Sequence, residues 1–309
     1  NTIFHWASNT KTFTAIAIMQ LRDRGLLSLG DPLTEYLPEL KSAHNPYGSM
    51  DDLTIKMALE HSTGFRNPTW PWGGGEGWHP FEPTEWDQLA AMLPYSELLF
   101  EPGSRHSYSN PAIIFLGKII EIVTGDVYEA YIDKNILKPL GMYQSYFDNT
   151  PYHLLPQRSN SYTLHEKDPV PNGLDFNTGI TVSNGGLNSP ISDMTQYLGF
   201  LTGSHTEHEI LDRSSLEEMW EIQHEIEEED GIRSSAGLSF FIEEFEGMRV
   251  IGHTGTQRSF YSFFYIHPES GTAVLGITNT EGREGEPDMF QFREDLVRYI
   301  FQNLFTLYR

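Results

Sequence analysis

A serine and a lysine stand three residues apart near the start of the chain, as Ser8-Asn9-Thr10-Lys11. On a helix, residues at i and i+3 lie on one face, so the Ser8 hydroxyl and the Lys11 amine can touch. Serine becomes a nucleophile only when a base removes its proton, and a neutral lysine can be that base. The pKa of the lysine must then fall by about 3 units, which costs roughly 4 kcal/mol and requires burial and a neighbouring positive field. The N-terminus of such a helix would also offer the Ser8 backbone N–H to a developing oxyanion.

Two further tripeptides carry polar side chains that could join this chemistry. One is Tyr-Ser-Asn at 108–110, and the other is His-Thr-Gly at 253–255, which follows an apolar run as the polar tip of a strand would. Gly255 would let a substrate lie close along that strand. Patterns this short arise by chance, so their meaning depends on the elements that hold them.

The hydrophobic pattern along the chain indicates which elements hold these residues. Apolar side chains at helical spacing predict helices over 8–24, 111–123, 192–201 and 288–305. Short β-rich runs between 236 and 279, separated by Gly-containing turns, predict an antiparallel meander. The Pro- and Gly-rich segment 67–83 predicts a loop, and the acidic run 225–230 predicts a solvated face. This order of elements indicates an α+β protein with a helical lobe against a sheet.

Composition excludes several classes of protein. The 309 residues include 43 acidic and 20 basic side chains, a formal net charge of −23 that would repel nucleic acid and anionic membranes. The absence of cysteine excludes disulfides, thiolate catalysis and cysteine-ligated metals. No apolar run approaches the roughly 20 residues of a membrane span, and the chain opens on no recognisable signal peptide.

The order and context of the three patterns resemble the serine β-lactamase and penicillin-binding-protein superfamily. Within it, the chain is similar to the branch of class C β-lactamases, DD-carboxypeptidases, D-aminopeptidases and family VIII esterases. ASNTKTFTAIAIMQLRDRGLLSLGDPLTEYLPEL resembles the nucleophile helix and its exit, and FEPGSRHSYSNPAIIFLGKIIEIVTG resembles the Tyr motif and its helix. TIKMALEHSTGF, SNGGLNSPISDMTQYL and GHTGTQRSFYSFFYIHPESGTAVLGITN resemble the following helix, the Gly-Gly turn and the third motif with its closing strands. The resemblance covers nearly the whole chain, in order.

The resemblance implies an acyl-enzyme mechanism. Ser8 would attack a carbonyl while Lys11 and Tyr108 move the serine proton, and which of the two is the base stays open. Asn110 would hydrogen-bond a substrate amide or the Lys11 amine. His253 would orient Tyr108 or meet a substrate carboxylate.

The same resemblance implies where a substrate binds and how the chain folds. A small-molecule or peptide substrate would lie along Thr254, Gly255 and Thr256, with an oxyanion hole formed by the backbone N–H groups of Ser8 and Thr256. The implied fold is α+β and β-lactamase/transpeptidase-like, with an antiparallel sheet flanked by helices, a mostly helical lobe and the active site between them. We expect one catalytic domain over 1–309, with a sheet-containing lobe from 1–30 and 235–309 and a mostly helical lobe from 31–234.

Three departures from the family pattern shape these expectations. His253 stands where β-lactamases usually carry lysine, which favours peptidases and esterases over antibiotic hydrolysis. Ser259 stands where the family often has glycine and could narrow the site. Few residues precede Ser8, so the N-terminal strands of the usual sheet are expected to be absent, and an uncovered edge would favour association of copies.

Two functions from different classes remain open. One is a serine hydrolase acting on D-amino-acid peptides or small esters and amides, with β-lactams less favoured. The other is a catalytically silent relative that binds peptides or partners through the same cleft. Neither requires a cofactor or a metal, and the resemblance alone suggests a periplasmic or extracellular location.

Other polar residues receive structural interpretations. His205 and His208 have metal-like helix spacing but no carboxylate partner, so we expect surface residues. His61 is expected to be a turn residue, and Glu60 and Asp193 are expected to be helix caps or solvent-facing groups.

Overall fold

The computed structural model describes residues 1–67, 83–165, 168–174, 177–204, 210–282 and 288–308. The helices are α1 (Thr10–Asp23), α2 (Leu33–Tyr36), α3 (Ile55–Leu59), α4 (Trp86–Met92), α5 (Asn110–Thr124), α6 (Tyr128–Ile132), α7 (Val182–Gly185), α8 (Ile191–Thr202), α9 (Arg213–Glu218) and α10 (Met289–Asn303). The strands are β1 (Ile3–His5), β2 (Tyr146–Phe147), β3 (Tyr162–His165), β4 (Asp168–Pro171), β5 (Leu187–Pro190), β6 (His224–Glu229), β7 (Ile232–Ala236), β8 (Phe241–Phe245), β9 (Met248–Gln257), β10 (Phe260–His267), β11 (Thr272–Thr278) and β12 (Thr280–Gly282). Short 3-10 helices include Ala7–Asn9, and Asp133–Leu137 forms a π-helical turn.

A six-stranded antiparallel sheet in the order β11-β10-β9-β8-β7-β6 is the main β element. Alternate side chains of β10 point to opposite faces, as the pleat of a strand requires. Phe263 and Tyr265 pack with α10, whereas Phe264 and Ile266 join the large core that contains α1, α5 and α8. The sheet therefore lies between the C-terminal helix and the helical lobe, which confirms the predicted α+β fold.

Helix α1 passes through the middle of the protein. Every residue from Thr10 to Leu21 is buried, so this helix has no solvent-facing side. Helix α5 begins at the Ser109 N-cap and ends at Gly125, whose φ of 75° allows the left-handed turn that stops it. These two helices contact each other, and they carry the first two sequence motifs.

The predicted helices all form, and the predicted meander corresponds to β8–β11. The sheet, however, begins at His224, before the expected boundary at 235, because β6 and β7 belong to it. Strand β6 is almost entirely exposed, so the acidic run is solvated as predicted but forms an edge strand. Its charged residues lack the apolar alternation by which a strand is recognised. The predicted loop at 67–83 lies outside the described residues apart from its two ends, and so do His205 and His208.

Strands β11 and β6 are the two edges of the large sheet within the described part of the chain. A smaller sheet, β1-β5-β2, joins the segment before α1 to the helical lobe. Among the described residues, no helix has both the length and the apolar character needed to span a membrane.

Replacing Gly255 by alanine should destabilise the fold, because a Cβ there would lie 2.3 Å from the Trp6 carbonyl oxygen and 2.6 Å from Ser262 Oγ. Overpacking of this kind costs about 1–3 kcal/mol. Urea denaturation of G255A and wild type measures the change. Gly30→Ala is the matched control, since its nearest neighbour would be 3.8 Å away. Equal stability of G255A and wild type would contradict the close packing.

Candidate active site

Ser8 lies in a tight turn that joins β1 to α1. The Trp6 backbone N–H donates to the Leu187 carbonyl at 2.9 Å, and its indole N–H donates to the Ser189 carbonyl at 2.8 Å. Ala7 then adopts a φ of 49°, a left-handed conformation that costs a non-glycine residue roughly 1–2 kcal/mol. The turn leaves Ser8 half-buried at the start of the helix.

The Lys11 side chain is completely buried beside Ser8. Its Nζ lies 3.0 Å from Ser8 Oγ and donates to the Asn184 carbonyl at 2.8 Å. No carboxylate forms an ion pair with it among the described residues. Burial therefore lowers the pKa of Lys11 well below its usual value. A lysine that acts as the base for Ser8 needs a pKa lowered in this way.

Tyr108 completes the group around the nucleophile. Burial raises the pKa of its hydroxyl, and the nearby Ser8 side chain partly opposes this effect. The Lys11 Nζ lies 5.0 Å from the centroid of the Tyr108 ring. Ser8, Lys11 and Tyr108, from two separate sequence motifs, therefore meet at one point.

A row of aromatic rings holds Tyr108 in place. The His61 ring stacks on it at 4.4 Å between centroids, and the Phe241 ring lies 6.4 Å away on a nearly parallel plane. Phe241 also packs against His253 at 4.7 Å, and the rings of His253 and Tyr108 are 6.2 Å apart. His253 of the third motif is thus part of the same site.

His61 has two structural functions. It adopts a φ of 55°, as the expected turn residue, and its Nδ1 accepts a hydrogen bond from the Ser109 backbone N–H at 3.1 Å. The ring therefore fixes both the backbone and the side chain of the Tyr motif. The neighbouring Glu60 is the C-cap of α3, one of its two expected positions. It is buried, Ser62 Oγ donates to it at 2.8 Å, and the His224 ring lies 3.4 Å from its carboxylate.

Asn110 is the first residue of α5, at the edge of the group. Its side-chain amide donates to Asn67 Oδ1 at 3.0 Å. Within the described residues it makes no hydrogen bond to Lys11; the Asn184 carbonyl takes that place. The expected bond to Lys11 is therefore not formed here, and contact with a substrate amide stays a prediction.

The third motif lies on β9, directly against the nucleophile turn. A Cβ at Gly255 would meet Trp6 and Asn9, so this glycine allows the close contact between strand and turn, and the expected approach of a substrate at this position stays a prediction. Thr254 pairs with Phe263, and Thr256 is exposed and pairs with Tyr261. The strand ends in a two-residue hairpin turn at 258–259, where Ser259 adopts a φ of 64° that glycine would adopt more easily.

A buried arginine supports the third motif from the side of α10. Arg293 Nη1 donates to the Gly255 carbonyl at 3.0 Å and to Thr256 Oγ1 at 2.8 Å. Burial and the nearby Lys11 charge lower the pKa of His253 to about 3, and Arg293 adds to this effect. His253 is therefore a neutral imidazole at ordinary pH, unlike the lysine that it replaces.

Sequence reasoning missed the residues that support this site. Asn184 contributes through a backbone carbonyl, Phe241 lies on a strand of ordinary composition, and Arg293 lies on a helix distant in sequence. Asp193 was expected at a cap or in solvent; it lies in the first turn of α8 but is buried, and it accepts hydrogen bonds from Gln144 and Ser145. No group of three or more potential ligand side chains is arranged to hold a metal in the described parts of the chain.

The fold is that of β-lactamase- and penicillin-binding-protein-like structures. The Beta-lactamase family model matches residues 1–297, so the chain belongs to this family. This membership confirms the resemblance that the motifs carry.

Individual relatives agree with this membership. "Protein flp" of Staphylococcus aureus (strain COL) is 28% identical over 282 residues, covering 91% of this chain and 54% of that protein. A "Putative D-alanyl-D-alanine carboxypeptidase" of Escherichia coli (strain K12) is 31% identical over 150 residues, covering 48% of this chain and 34% of that protein. The octameric penicillin-binding protein homologue from Pyrococcus abyssi superposes with a TM-score of 0.75 at 29% identity, covering 90% of this chain and 62% of that one. The chain therefore spans about half the length of the curated relatives that it matches along most of its own length.

Replacing Lys11 by methionine should change how stability depends on pH. In wild type the buried lysine has a lowered pKa, so the unfolded chain binds the extra proton and the free energy of unfolding rises with pH up to the unfolded pKa. The stability advantage of K11M over wild type should therefore be largest at low pH and shrink as the pH approaches 10.5. Urea denaturation of both proteins at several pH values measures it. A difference independent of pH would show that the Lys11 pKa is not lowered.

Proposed function

We propose that this protein is a serine hydrolase that forms an acyl-enzyme at Ser8. The observation that carries the proposal is the 3.0 Å contact between Ser8 Oγ and the buried Lys11 Nζ. The Tyr108 ring lies beside the same amine, with its centroid 5.0 Å from Nζ. A half-buried serine in contact with a potential base, with a second proton-transferring group nearby, is the arrangement that nucleophilic catalysis needs.

The reaction proceeds in two halves. The neutral Lys11 amine takes the proton of Ser8 while Oγ attacks the substrate carbonyl carbon, and the negative oxygen is stabilised by the backbone N–H groups of Ser8 and Thr256. Tyr108 relays the proton to the leaving nitrogen or oxygen, which departs and leaves an ester at Ser8. Water then attacks the ester, gives its proton back through the same groups, and releases the acid and free Ser8.

The pKa directions favour Lys11 over Tyr108 as the resting base. Burial lowers the pKa of Lys11, which favours the neutral amine that can accept a proton. Burial raises the pKa of Tyr108, so its phenolate is disfavoured before substrate binds. Tyr108 then acts as a neutral hydroxyl that passes a proton between the Ser8 side and the leaving group.

The proposed substrates are D-amino-acid peptides or small esters and amides, with β-lactams less favoured. The neutral His253 supplies no positive charge for the carboxylate of a β-lactam. The relative named as a carboxypeptidase supports a peptide substrate, and Asn110 at the edge of the group could hold the amide of such a substrate.

Fluorophosphonate labelling followed by peptide mass analysis tests the nucleophile. We expect one adduct on Ser8, no adduct in Ser8→Ala, and turnover of a D-alanyl dipeptide or a short p-nitrophenyl ester above that of a cephalosporin. Absence of both labelling and turnover would favour the silent relative that binds peptides through this cleft.

Removing either proton-transferring group should abolish most activity. Lys11→Ala and Tyr108→Phe should each lower kcat/KM by about 10²–10⁴. Tyr108→Phe keeps the ring that stacks on His61, so its stability should stay close to that of wild type. Wild-type rates in Lys11→Ala would remove lysine from the mechanism.

The pH dependence of kcat/KM should identify the base. Because the base is active only when deprotonated, activity should rise with pH through an apparent pKa below 10.5, the ordinary value for lysine. In Tyr108→Phe the residual activity should keep this rising limb. A limb that disappears in Tyr108→Phe would make tyrosine the base.

A further inference from the structure

A cavity lies beside α5. Its volume is about 440 Å³, within the range of small-molecule sites. Ile114, Gly117, Lys118 and Glu121 form one stripe of α5 along its wall, and Ser183 of α7 is also part of the lining. None of Ser8, Lys11, Tyr108 and His253 lines it.

The lining carries a marked excess of negative charge. Four carboxylates face one ammonium group, and these side chains are Glu85, Glu121, Glu129, Asp148 and Lys118. Lys118 and Glu121 neutralise each other through an ion pair of 2.9 Å. Glu85, Glu129 and Asp148 have no ion-pair partner among the described residues, so the cavity would repel anions and attract cations.

Asp148 is one of these carboxylates without an ion-pair partner among the described residues. It adopts a φ of 52°, and Thr178 Oγ1 donates a hydrogen bond to its carboxylate. Burial, with a contribution from the Glu129 charge, raises its pKa to about 6. The charged form of such a carboxylate is stabilised when a positive charge comes within a few ångströms of it.

Aromatic rings make the cavity suitable for an organic cation. Tyr128 and Phe147 meet edge to face at 5.5 Å between ring centroids, and Trp86 also lines the cavity. The Lys118 ammonium already lies 6.0 Å from the Trp86 ring centroid and beside Glu121. The cavity thus contains one internal example of an ammonium held by an aromatic face and a carboxylate.

We propose that this cavity is a second ligand site, which binds a small organic ammonium ion between Asp148, Glu129 and the rings of Tyr128 and Phe147. The ammonium group would lie between the two carboxylates, and the apolar part of the ligand would contact the rings with Ile180 and Val182. The site does not depend on the proposed hydrolase activity, because it shares no side chain with the nucleophile group.

Isothermal titration with benzylamine, which is a cation at neutral pH, tests the proposal. We expect saturable binding to the wild-type protein and none of comparable strength for benzyl alcohol, its neutral counterpart. Asp148→Asn and Glu129→Gln should each weaken benzylamine binding by roughly tenfold. The asparagine can still accept the Thr178 hydrogen bond, and Glu129→Gln is at a half-buried helix position, so both variants should fold.

Glu225→Gln is the matched control, since it removes one exposed carboxylate far along the chain on β6. It should leave benzylamine binding unchanged. Equal weakening in all three variants would show that benzylamine binding depends only on the net charge of the protein, and this would overturn the proposal. So would absence of benzylamine binding, equal binding of benzyl alcohol, or full binding in both Asp148→Asn and Glu129→Gln.

Discussion

The buried amine of Lys11 is the constraint on which the rest of the site depends. An ammonium group without a carboxylate partner is costly in the protein interior, so the group gives up its proton more readily than a lysine in water. A neutral amine at this position can accept a proton from Ser8, because Ser8 Oγ is 3.0 Å away. The fold must therefore hold the amine away from both water and acids, although the chain carries 43 acidic residues.

Several elements meet this requirement by backbone contacts. Helix α1 is surrounded on all sides, the Asn184 carbonyl on α7 accepts from the amine, and Gly255 lets β9 approach the turn before Ser8. Each contact tolerates little change in shape, since a displacement of about 1 Å at a reacting group can cost 10²-fold in rate. The strained Ala7 is part of the same arrangement.

The sequence predicted the parts of the site that are local. Ser8 and Lys11 lie one helical turn apart, and the apolar periodicity around them located the helix. The contacts between Lys11 and Asn184, between Phe241 and Tyr108, and between Arg293 and the third motif join segments far apart in the chain. No periodicity encodes such pairs. The edge strand β6 was missed for a related reason, because five of its six residues are polar and it therefore lacks the alternation that predicts a strand.

The charge state of His253 connects the architecture to the choice of substrate. The buried imidazole of His253 is neutral and lies among the rings of Tyr108 and Phe241. The positive charge behind the strand belongs to Arg293, whose guanidinium is engaged by Gly255, Thr256 and Glu294. Since specificity is a difference between affinities, a site with less free positive charge discriminates less in favour of anionic substrates. Under the proposed hydrolase function, this arrangement favours neutral acyl compounds as substrates.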